Sequence, residues 1–369
     1  MGASEEKTLR ILGIRGVPAQ HGGFETFAER LALYLVERGW RVTVYCQEDG
    51  RGRVRTDRWQ GVDRVIIPVS VGGSLGTVLF DLLSVVHACR TSELCLTLGY
   101  NTAVFNVLQR IRGAINIINM DGIEWKRKKW GAVAKAWFWF NERIGCLVGN
   151  HLVADHPGIQ QHLETRVRGD KITVIAYGAR AIHGLGRPQR TALGVMPGNF
   201  LTVVARPEPE NSILEIVRGF SKRRRGVNLV VLGNYSESNQ YHRQVKAAAS
   251  SEVIFPGAIY DPDQMDALRL ASLLYVHGHQ VGGTNPSLVE ALGAGNAIVA
   301  HDNKFNRWVA GDAAMYFDGS DGFSGLLDSL LSDPDAIAEL SRQAILRYEA
   351  MFTWESILKS YEELLERFL

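Results

Sequence analysis

Short runs of apolar residues alternate with amphipathic segments along most of the chain. In the first half, seven such runs have the length and composition of buried strands: TLRILGI, RVTVYC, RVIIPV, LCLTL, INIIN, HLVAD and KITVIA. Helical patterns fill several of the intervals, and the first of these helices is predicted to end at Gly39, since a glycine commonly follows the last turn of a helix. The alternation predicts a parallel sheet with helices on both faces.

The pattern breaks between residues 177 and 199, where five glycines and two prolines occur without a sustained period. We predict a linker at 181–198 that joins an N-terminal domain, 1–180, to a C-terminal domain, 199–350. Alternation restarts there with FLTVVA, NLVVLG, VIFPG, SLLYV, NAIVA and AAMYF. The amphipathic tail, 351–369, is expected to form a helix that crosses back to the first domain. The predicted fold class is α/β, with two Rossmann-like, doubly wound domains facing a cleft.

Composition narrows the class of protein. Of the 369 residues, 46% are apolar and 22% are charged, and the net charge is only +2. These values are typical of a soluble globular protein and do not indicate binding to nucleic acid. The four cysteines have neither CxxC nor zinc-ligand spacing, which favours reduced thiols in the cytoplasm. Since no signal-peptide pattern and no apolar run of about 18 residues occurs, we expect a cytoplasmic protein without a membrane span.

The loop after the first predicted strand, GIRGVPAQHGGFETF, is rich in glycine. Gly22 and Gly23 can present backbone N–H groups at a helix N-terminus to an anion or a sugar hydroxyl of an acceptor. A tight strand-to-helix turn explains the same glycines equally well. A dinucleotide site is disfavoured, although Glu48 and Asp49 follow the second strand, because GIRG does not supply GxGxxG.

The loop that follows SLLYV carries the richest candidate chemistry. Its glycines lead to Pro286, which is typical of the first turn of a helix. Polar and backbone N–H groups of this stretch can bind a diphosphate at the positive end of that helix, and the residues predicted to do so are Gly283, Thr284, Asn285 and Ser287. Glu290 lies one turn further in, where its carboxylate can accept two hydrogen bonds from a ribose. Helix capping alone explains Thr284 or Asn285 but not the whole run.

The chain resembles retaining GT-B glycosyltransferases of the family-4 type, and within them the bacterial capsule and O-antigen rhamnosyltransferase-like subgroup. The resemblance lies in GIRGVPAQHGGFETFAERLA, NMDGIEWKRKKW, VIAYGA, VVARPEPEN and HGHQVGGTNPSLVEALGAGNAIVAHDN. It implies a nucleotide-diphosphate sugar donor in the C-terminal domain, an acceptor in the N-terminal domain, and transfer with retention by front-face attack, without a protein nucleophile or a cofactor. By the same resemblance we expect a lipid-linked polysaccharide acceptor, with a dTDP-linked rhamnose as the first candidate donor and a UDP-sugar as the second.

Two positions depart from that family's pattern. Its Glu-x7-Glu signature ends at Glu290 but begins here with Gly282, and its Arg-x4-Lys pair is reduced to Arg206 and Asn211. Diphosphate neutralisation would then rest on Arg206, backbone amides and the helix end, and Arg206 is assigned a catalytic role in stabilising the leaving group. The missing glutamate leaves a second interpretation open, a catalytically silent protein that binds a nucleotide sugar or a lipid.

Two further polar positions are candidates for the reacting groups. Asp121, in INMDGIEW, follows a predicted strand and can accept the proton of the acceptor hydroxyl or polarise the donor. The alternative is an Asp that caps the turn before Gly122. His277 and His279 flank Gly278, and His279 is predicted to bind a sugar hydroxyl of the donor, with a purely structural loop role as the alternative.

Acidic and basic clusters complete the candidates. DPD occurs at 261–263 and at 333–335, and both are interpreted as Asp caps followed by proline at the first helical position, so no metal is predicted. WKRKKWGAVAKAWFWF places four cations beside aromatic residues: Lys126, Arg127, Lys128, Lys129, Trp137, Phe138 and Trp139. Such a segment suits an anionic membrane surface, and hence a peripheral position at the inner face of the plasma membrane, with an aromatic core as the alternative.

Overall fold

The computed structural model describes residues 7–20, 22–127, 129–186, 188, 191 and 193–369. The strands in these residues are Thr8–Leu12 (β1), Arg41–Asp49 (β2), Arg55–Trp59 (β3), Val62–Val69 (β4), Leu94–Leu98 (β5), Asn116–Asn119 (β6), His151–Ala154 (β7), Ile172–Val174 (β8), Phe200–Val204 (β9), Asn228–Leu232 (β10), Val253–Ile254 (β11), Leu274–His277 (β12), Ala297–His301 (β13) and Ala314–Phe317 (β14).

The α-helices of the same residues alternate with these strands and then close the chain. They are Gly23–Glu37 (α1), Gly73–Ala88 (α2), Val107–Ile111 (α3), Ala132–Val148 (α4), Pro157–Glu164 (α5), Ile213–Ser221 (α6), Gln240–Ala247 (α7), Pro262–Ala271 (α8), Pro286–Gly293 (α9), Lys304–Ala310 (α10), Gly319–Leu331 (α11), Pro334–Met351 (α12) and Trp354–Glu366 (α13). Within the described part of the chain, no helix combines the length and apolarity that crossing a bilayer requires.

The first sheet has the order β3-β4-β2-β1-β5-β6-β7-β8, and all neighbours are parallel except β3 with β4. Its central strands are buried on both faces; all five residues of β5 are buried, for example. This explains why the sequences of these strands are continuous runs of apolar residues. The strand order reverses between β1 and β5, so the loops after these strands flank the place where open α/β sheets bind ligands.

Strand β3 is an addition to the strands predicted from the sequence. Four of its five residues are exposed, so no apolar run marks it. It forms an antiparallel hairpin with β4 through Gln60 and Gly61, whose φ angles are +46° and +85°. Left-handed residues at both positions suit the twist of a two-residue hairpin turn, and this dipeptide is the sequence signal that marks the hairpin.

The second sheet has the order β11-β10-β9-β12-β13-β14, and all neighbours are parallel. Its core is built from strand residues such as Val203, Val231 and Val276, which pack against Ile216 and Phe220 of α6. The strand order reverses between β9 and β12. The loops after these two strands, which carry Arg206 and the 278–285 stretch, therefore meet at one edge of this sheet.

Contacts divide the chain into two compact units, Met1–Ala176 with Glu355–Leu369, and Tyr177–Trp354. The first unit thus extends to residue 176 where the sequence predicts 180, and the described residues of the predicted linker belong to the second unit. After residue 354 the chain returns to the first unit, where α13 packs on α1. The rings of Tyr361 and Phe27 lie 4.5 Å apart there, and the Trp40 indole donates to Glu362 at 3.2 Å.

Candidate functional site

The loop after β12 packs closely on the loop after β9, within the second unit. A Cβ at Gly278 would lie 2.1 Å from the carbonyl oxygen of Asn211, so only glycine permits this approach. The backbone N–H of Gln280 donates to the carbonyl of Glu210 at 2.9 Å, and its side-chain amide donates to the Ser212 hydroxyl at 2.9 Å. These contacts fix the start of the predicted donor loop against residues 210–212.

Arg206 and Asn211 have different environments in that second loop. Arg206 is exposed, so its guanidinium is accessible to an anion. Asn211 is only 6% exposed, and its amide donates to the carbonyl of Arg206 at 2.8 Å. Asn211, at the position of the family's lysine, therefore shapes the loop that carries Arg206 and supplies no charge.

Helix α9 begins with Pro286 at its first position, as predicted, and Asn285 is its cap, which is the alternative role considered for that residue. The side-chain oxygen of Asn285 accepts from the Ser287 N–H at 3.1 Å and from the Ser287 hydroxyl at 2.8 Å. Thr284 is buried and Gly283 is partly exposed. A diphosphate at this end would replace the contacts of Ser287 or bind the backbone at Gly283 and Thr284. Binding by these residues stays a prediction.

Glu290 is held by a buried arginine that sequence reasoning missed. Arg269 on α8 is 6% exposed, and its guanidinium donates to the carboxylate of Glu290, whose side chain is 37% exposed. The same guanidinium lies 3.7 Å from Asp266. The pair leaves part of the Glu290 carboxylate at the surface and fixes its direction, which is what a carboxylate that binds ribose hydroxyls needs.

Gly282, at the position of the family's first glutamate, has a backbone that favours glycine. Its φ is +137°, a region that L side chains rarely adopt, although a Cβ there would meet open space. The backbone at this position therefore disfavours the glutamate that the family has there.

Three histidines gather at the ends of β12 and β13. His277 is 1% exposed and its ring stacks on His279 with centroids 4.4 Å apart. Burial, with the neighbouring His279 and His301, lowers the pKa of His277 well below its usual value, so it is neutral at neutral pH. The carbonyl of His279 accepts from the amides of Asn303 and Asn306 at 2.9 Å each. His279 is therefore held firmly beside the donor loop, and its contact with a sugar stays a prediction.

The first-unit loop places Gly22 immediately before α1 and Gly23 at its first residue. The carboxylate of Glu25, in the first turn, accepts from the backbone N–H of Gln20 at 3.0 Å and is 6% exposed. A buried carboxylate already lies at this helix end. The loop is therefore better suited to sugar hydroxyls than to a free anion.

A polar cavity of about 420 Å³ opens beside this loop in the first unit. Glu48, which was weighed above for a dinucleotide site, pairs there with Arg55 at 2.5 Å, and Asp57 accepts from Arg64 at 2.7 Å. These hydrogen bonds hold the pKa values of Glu48 and Asp57 below their usual ranges. These ion pairs offer hydrogen-bond donors and acceptors to hydroxyl groups, and the Glu48 carboxylate is already engaged by Arg55.

Asp121 follows β6 with a left-handed backbone, φ +48°. Its N–H donates to the side-chain oxygen of Asn119 at 3.0 Å, and the Asn119 amide donates to the Tyr361 hydroxyl at 2.8 Å. Burial raises the pKa of the Asp121 carboxyl, the charge of Glu124 adds to the rise, and the Gly122 N–H partly offsets it. The carboxyl is therefore better suited to proton transfer than an exposed Asp, and it also caps the turn, so both interpretations remain compatible with the geometry.

The basic and aromatic segment divides between the surface and local packing. Lys126 and Lys129 are exposed, Lys128 lies outside the described residues, and Arg127 pairs with Glu124 at 2.9 Å. On α4, Trp137 and Trp139 are 38% and 44% exposed. Phe138 instead packs on Trp130 with ring centroids 5.1 Å apart. Neither the membrane nor the core interpretation accounts for all of these residues.

Both DPD segments cap helices, as predicted. Asp261 accepts from the Gln264 N–H at 2.8 Å ahead of Pro262, and Asp333 accepts from the Ala336 N–H at 3.0 Å. Among the residues that the structure describes, no group of three or more His, Cys, Asp or Glu is arranged to hold a metal ion.

Comparisons with known proteins match both halves of the chain. Residues 191–347 match the family Glycosyl transferases group 1, and residues 6–180 match a domain of unknown function (DUF1972). No curated protein matches the chain at a significant level.

Solved structures with the GT-B fold cover nearly the whole chain. Sucrose-phosphate synthase from Thermosynechococcus elongatus is 14% identical, with a TM-score of 0.82 over 98% of this chain and 99% of its own. HepE from Anabaena in complex with UDP is 16% identical, with a TM-score of 0.75 over 98% and 100%. A UDP-forming trehalose-phosphate synthase from Burkholderia xenovorans, in complex with glucose-6-phosphate, is 10% identical, with a TM-score of 0.71 over 98% and 100%.

The GT-B fold predicted from the sequence is thus confirmed. The family match of the C-terminal half, together with this fold, supports a glycosyltransferase. The matched region contains Arg206, the 278–285 loop and Glu290.

Proposed function

We propose that the protein is a retaining glycosyltransferase that transfers a sugar from a nucleotide-diphosphate donor to a lipid-linked saccharide. Rhamnose from a dTDP donor is the first candidate, and a UDP-sugar is the second. UDP is supported by the likeness to HepE, whose structures contain UDP or UDP-glucose. The proposed setting is cell-surface polysaccharide biosynthesis at the inner face of the plasma membrane.

The observation that carries this proposal is the Arg269–Glu290 pair at the first turns of α9. It holds a partly exposed carboxylate in a region that matches a glycosyltransferase family. We propose that Glu290 binds the ribose of the donor. The backbone of Gly283 and Thr284, together with the guanidinium of Arg206, binds its diphosphate. Since negative charge grows on the leaving phosphate, Arg206 stabilises the transition state more than the bound donor.

In the N-terminal unit we propose that the loop at Gly22 and Gly23 binds the acceptor. Asp121 accepts the proton of the acceptor hydroxyl. The carboxylates near both places suit hydroxyl groups of a saccharide. The loss of the family's first glutamate at Gly282 favours a second candidate, a silent protein that binds the nucleotide sugar without turnover.

Calorimetric titration with UDP and dTDP, followed by donor turnover, tests these assignments. Glu290→Ala is expected to weaken nucleotide binding, and Arg206→Ala to lower kcat, each by about tenfold or more. Glu339 and Arg342 pair on the exposed face of α12, so Glu339→Ala and Arg342→Ala are matched controls that should leave both quantities unchanged. Wild-type kcat/KM in Arg206→Ala would refute its role, and binding without turnover in the wild type would favour the silent protein.

A further inference from the structure

Helix α2 of the first unit carries a stripe of exposed apolar side chains. Leu75 is 74% exposed, Leu79 37%, Leu83 38% and Val86 45%. Their spacing of four, four and three residues places them along one side of the helix. The helix contains no Lys or Arg, and from Leu75 onward its exposed residues are the four apolar side chains of this stripe. Large contiguous patches of exposed apolar surface are uncommon on soluble proteins and often mark interaction sites.

Helices α3 and α4 extend this apolar surface. α2 links β4 to β5, α3 links β5 to β6 and α4 links β6 to β7, and each link advances in the same direction across the sheet. Right-handed crossovers therefore place all three helices on one face of the sheet, and α2 contacts α3, which contacts α4. Exposed apolar residues continue along α3 and α4 at Ile111 (73%), Val133 (86%), Phe140 (44%) and Leu147 (73%).

The charges around these helices are mostly positive. Residues 70–150 contain nine Lys or Arg and five Asp or Glu. Four of the five carboxylates are engaged by neighbouring side chains: Asp81 by Thr102, Glu93 by Arg10, Glu124 by Arg127 and Glu142 by Arg166. Several cations are exposed: Arg90, Arg110, Arg112, Lys126 and Lys129. These helices and the segments that join them therefore combine exposed apolar side chains with exposed cations.

We propose that this surface, formed by the outer sides of α2, α3 and α4 and called the α2–α4 face, docks on a bilayer that contains anionic lipids. The apolar stripes enter the headgroup region and the cations contact the lipid phosphates. A second copy of the chain is a poorer occupant, because a symmetric contact would bring together two sets of exposed cations, and none of the five carboxylates of residues 70–150 is exposed to complement them. The proposal deepens the proposed function, since a lipid-linked acceptor lies at such a surface, and it adds α2 to the basic and aromatic segment found in the sequence.

Vesicle flotation of the full chain tests the α2–α4 face directly. The probes are vesicles of phosphatidylcholine alone and of phosphatidylcholine mixed with phosphatidylglycerol, each at low and high salt. The wild type is expected to float with the anionic vesicles, and high salt to weaken the binding without abolishing it, because salt screens only the charged part. A variant with Leu75→Gln, Leu79→Gln and Val86→Gln should bind the anionic vesicles at least about tenfold more weakly than the wild type at both salt concentrations.

Matched variants separate docking from general effects of surface polarity. Met196→Gln, Met315→Gln and Leu346→Gln change exposed apolar residues of the other unit and should float like the wild type. Leu75→Phe with Leu79→Phe keeps the surface apolar and should also float. Circular dichroism and thermal melting of each variant establish that it is folded.

Three results would overturn the proposal. They are a wild type that stays with the soluble fraction, a folded α2 glutamine variant that floats equally well, and a wild-type dimer in light scattering that the glutamine variant converts to a monomer. The last would assign the face to a second copy. Because flotation does not depend on sugar transfer, a protein that floats but transfers no sugar would contradict the proposed function alone.

Discussion

Replacing Tyr361 by Phe removes one hydroxyl from α13, and we expect it to lower both stability and turnover. Tyr361 is 2% exposed, and its hydroxyl accepts from the Asn119 amide at 2.8 Å. Asn119 is itself 4% exposed, so the N–H that loses its acceptor stays away from water. An unsatisfied buried donor costs about 1–3 kcal/mol. The melting temperature should fall by roughly 2–4 °C for each kcal/mol.

The effect on turnover follows from the second hydrogen bond of the Asn119 side chain. The side-chain oxygen of Asn119 accepts the N–H of Asp121 at 3.0 Å, and this bond supports a residue with φ +48°. Without Tyr361 to fix the amide, Asn119 can rotate and the left-handed turn can relax, which moves the Asp121 carboxyl. Misplacing a reacting group costs rate, and we expect kcat to fall about tenfold with little change in KM for the donor.

Tyr348→Phe is the matched control. Tyr348 is 3% exposed and its hydroxyl donates to the carbonyl of Ala179 at 2.9 Å, in the other unit. The control should lose a comparable amount of stability and keep the wild-type kcat. Steady-state kinetics and thermal melting of both variants supply the comparison. If Tyr361→Phe destabilises the protein as expected and leaves kcat unchanged, the contact between α13 and Asn119 is structural and does not position Asp121.

Three further substitutions have definite expected results. Arg269→Met should raise KM for the donor about tenfold, because Glu290 loses the partner that fixes its direction, and an unchanged Kd for the nucleotide would refute this. Gly282→Glu should lower the melting temperature and give no gain in kcat, because its φ of +137° strains a side chain by about 1–3 kcal/mol; faster turnover would count against it. Burial raises the pKa of Asp81 to about 6, which the Thr102 hydroxyl partly offsets. Since the folded-state pKa exceeds the unfolded value of about 3.9, the contribution of Asp81 to stability is present below that value and is lost as pH rises through about 6. Asp81→Asn should therefore stabilise the protein by about 1–3 kcal/mol near pH 7 and have little effect near pH 4, as denaturant unfolding at the two pH values would reveal; equal effects at both would contradict the shift.

Local sequence patterns predict those parts of the fold that local physics determines. Central strands appear as apolar runs because helices bury both of their faces, and the start of α9 is marked by Asn285 and Pro286 because a cap and a fixed φ suit that position. The edge strand β3 was missed because its residues are mostly exposed and only its turn residues mark it.

The supporting contacts of the candidate site could not be predicted from one sequence. Arg269 reaches Glu290 from a neighbouring helix, and no local pattern on α8 distinguishes it from an exposed arginine. Asn119 and Tyr361 are 242 residues apart in the chain. Such pairings depend on how separate helices and strands pack together in the folded protein. Candidate groups in loops, such as Asp121, could be named from the sequence because their position after a strand is a local feature, and their roles stay predictions.

The central claim is that the protein transfers a sugar from a nucleotide-diphosphate donor with retention of configuration. The most direct test is a proton NMR time course of the full chain with dTDP-rhamnose, or with UDP-glucose, and a lipid-linked saccharide in vesicles. We predict that one donor is consumed, that its nucleoside diphosphate accumulates, and that the anomeric signal of the product has the configuration of the donor. No consumption of a donor whose nucleotide binds in calorimetry, or a product of inverted configuration, would contradict the account.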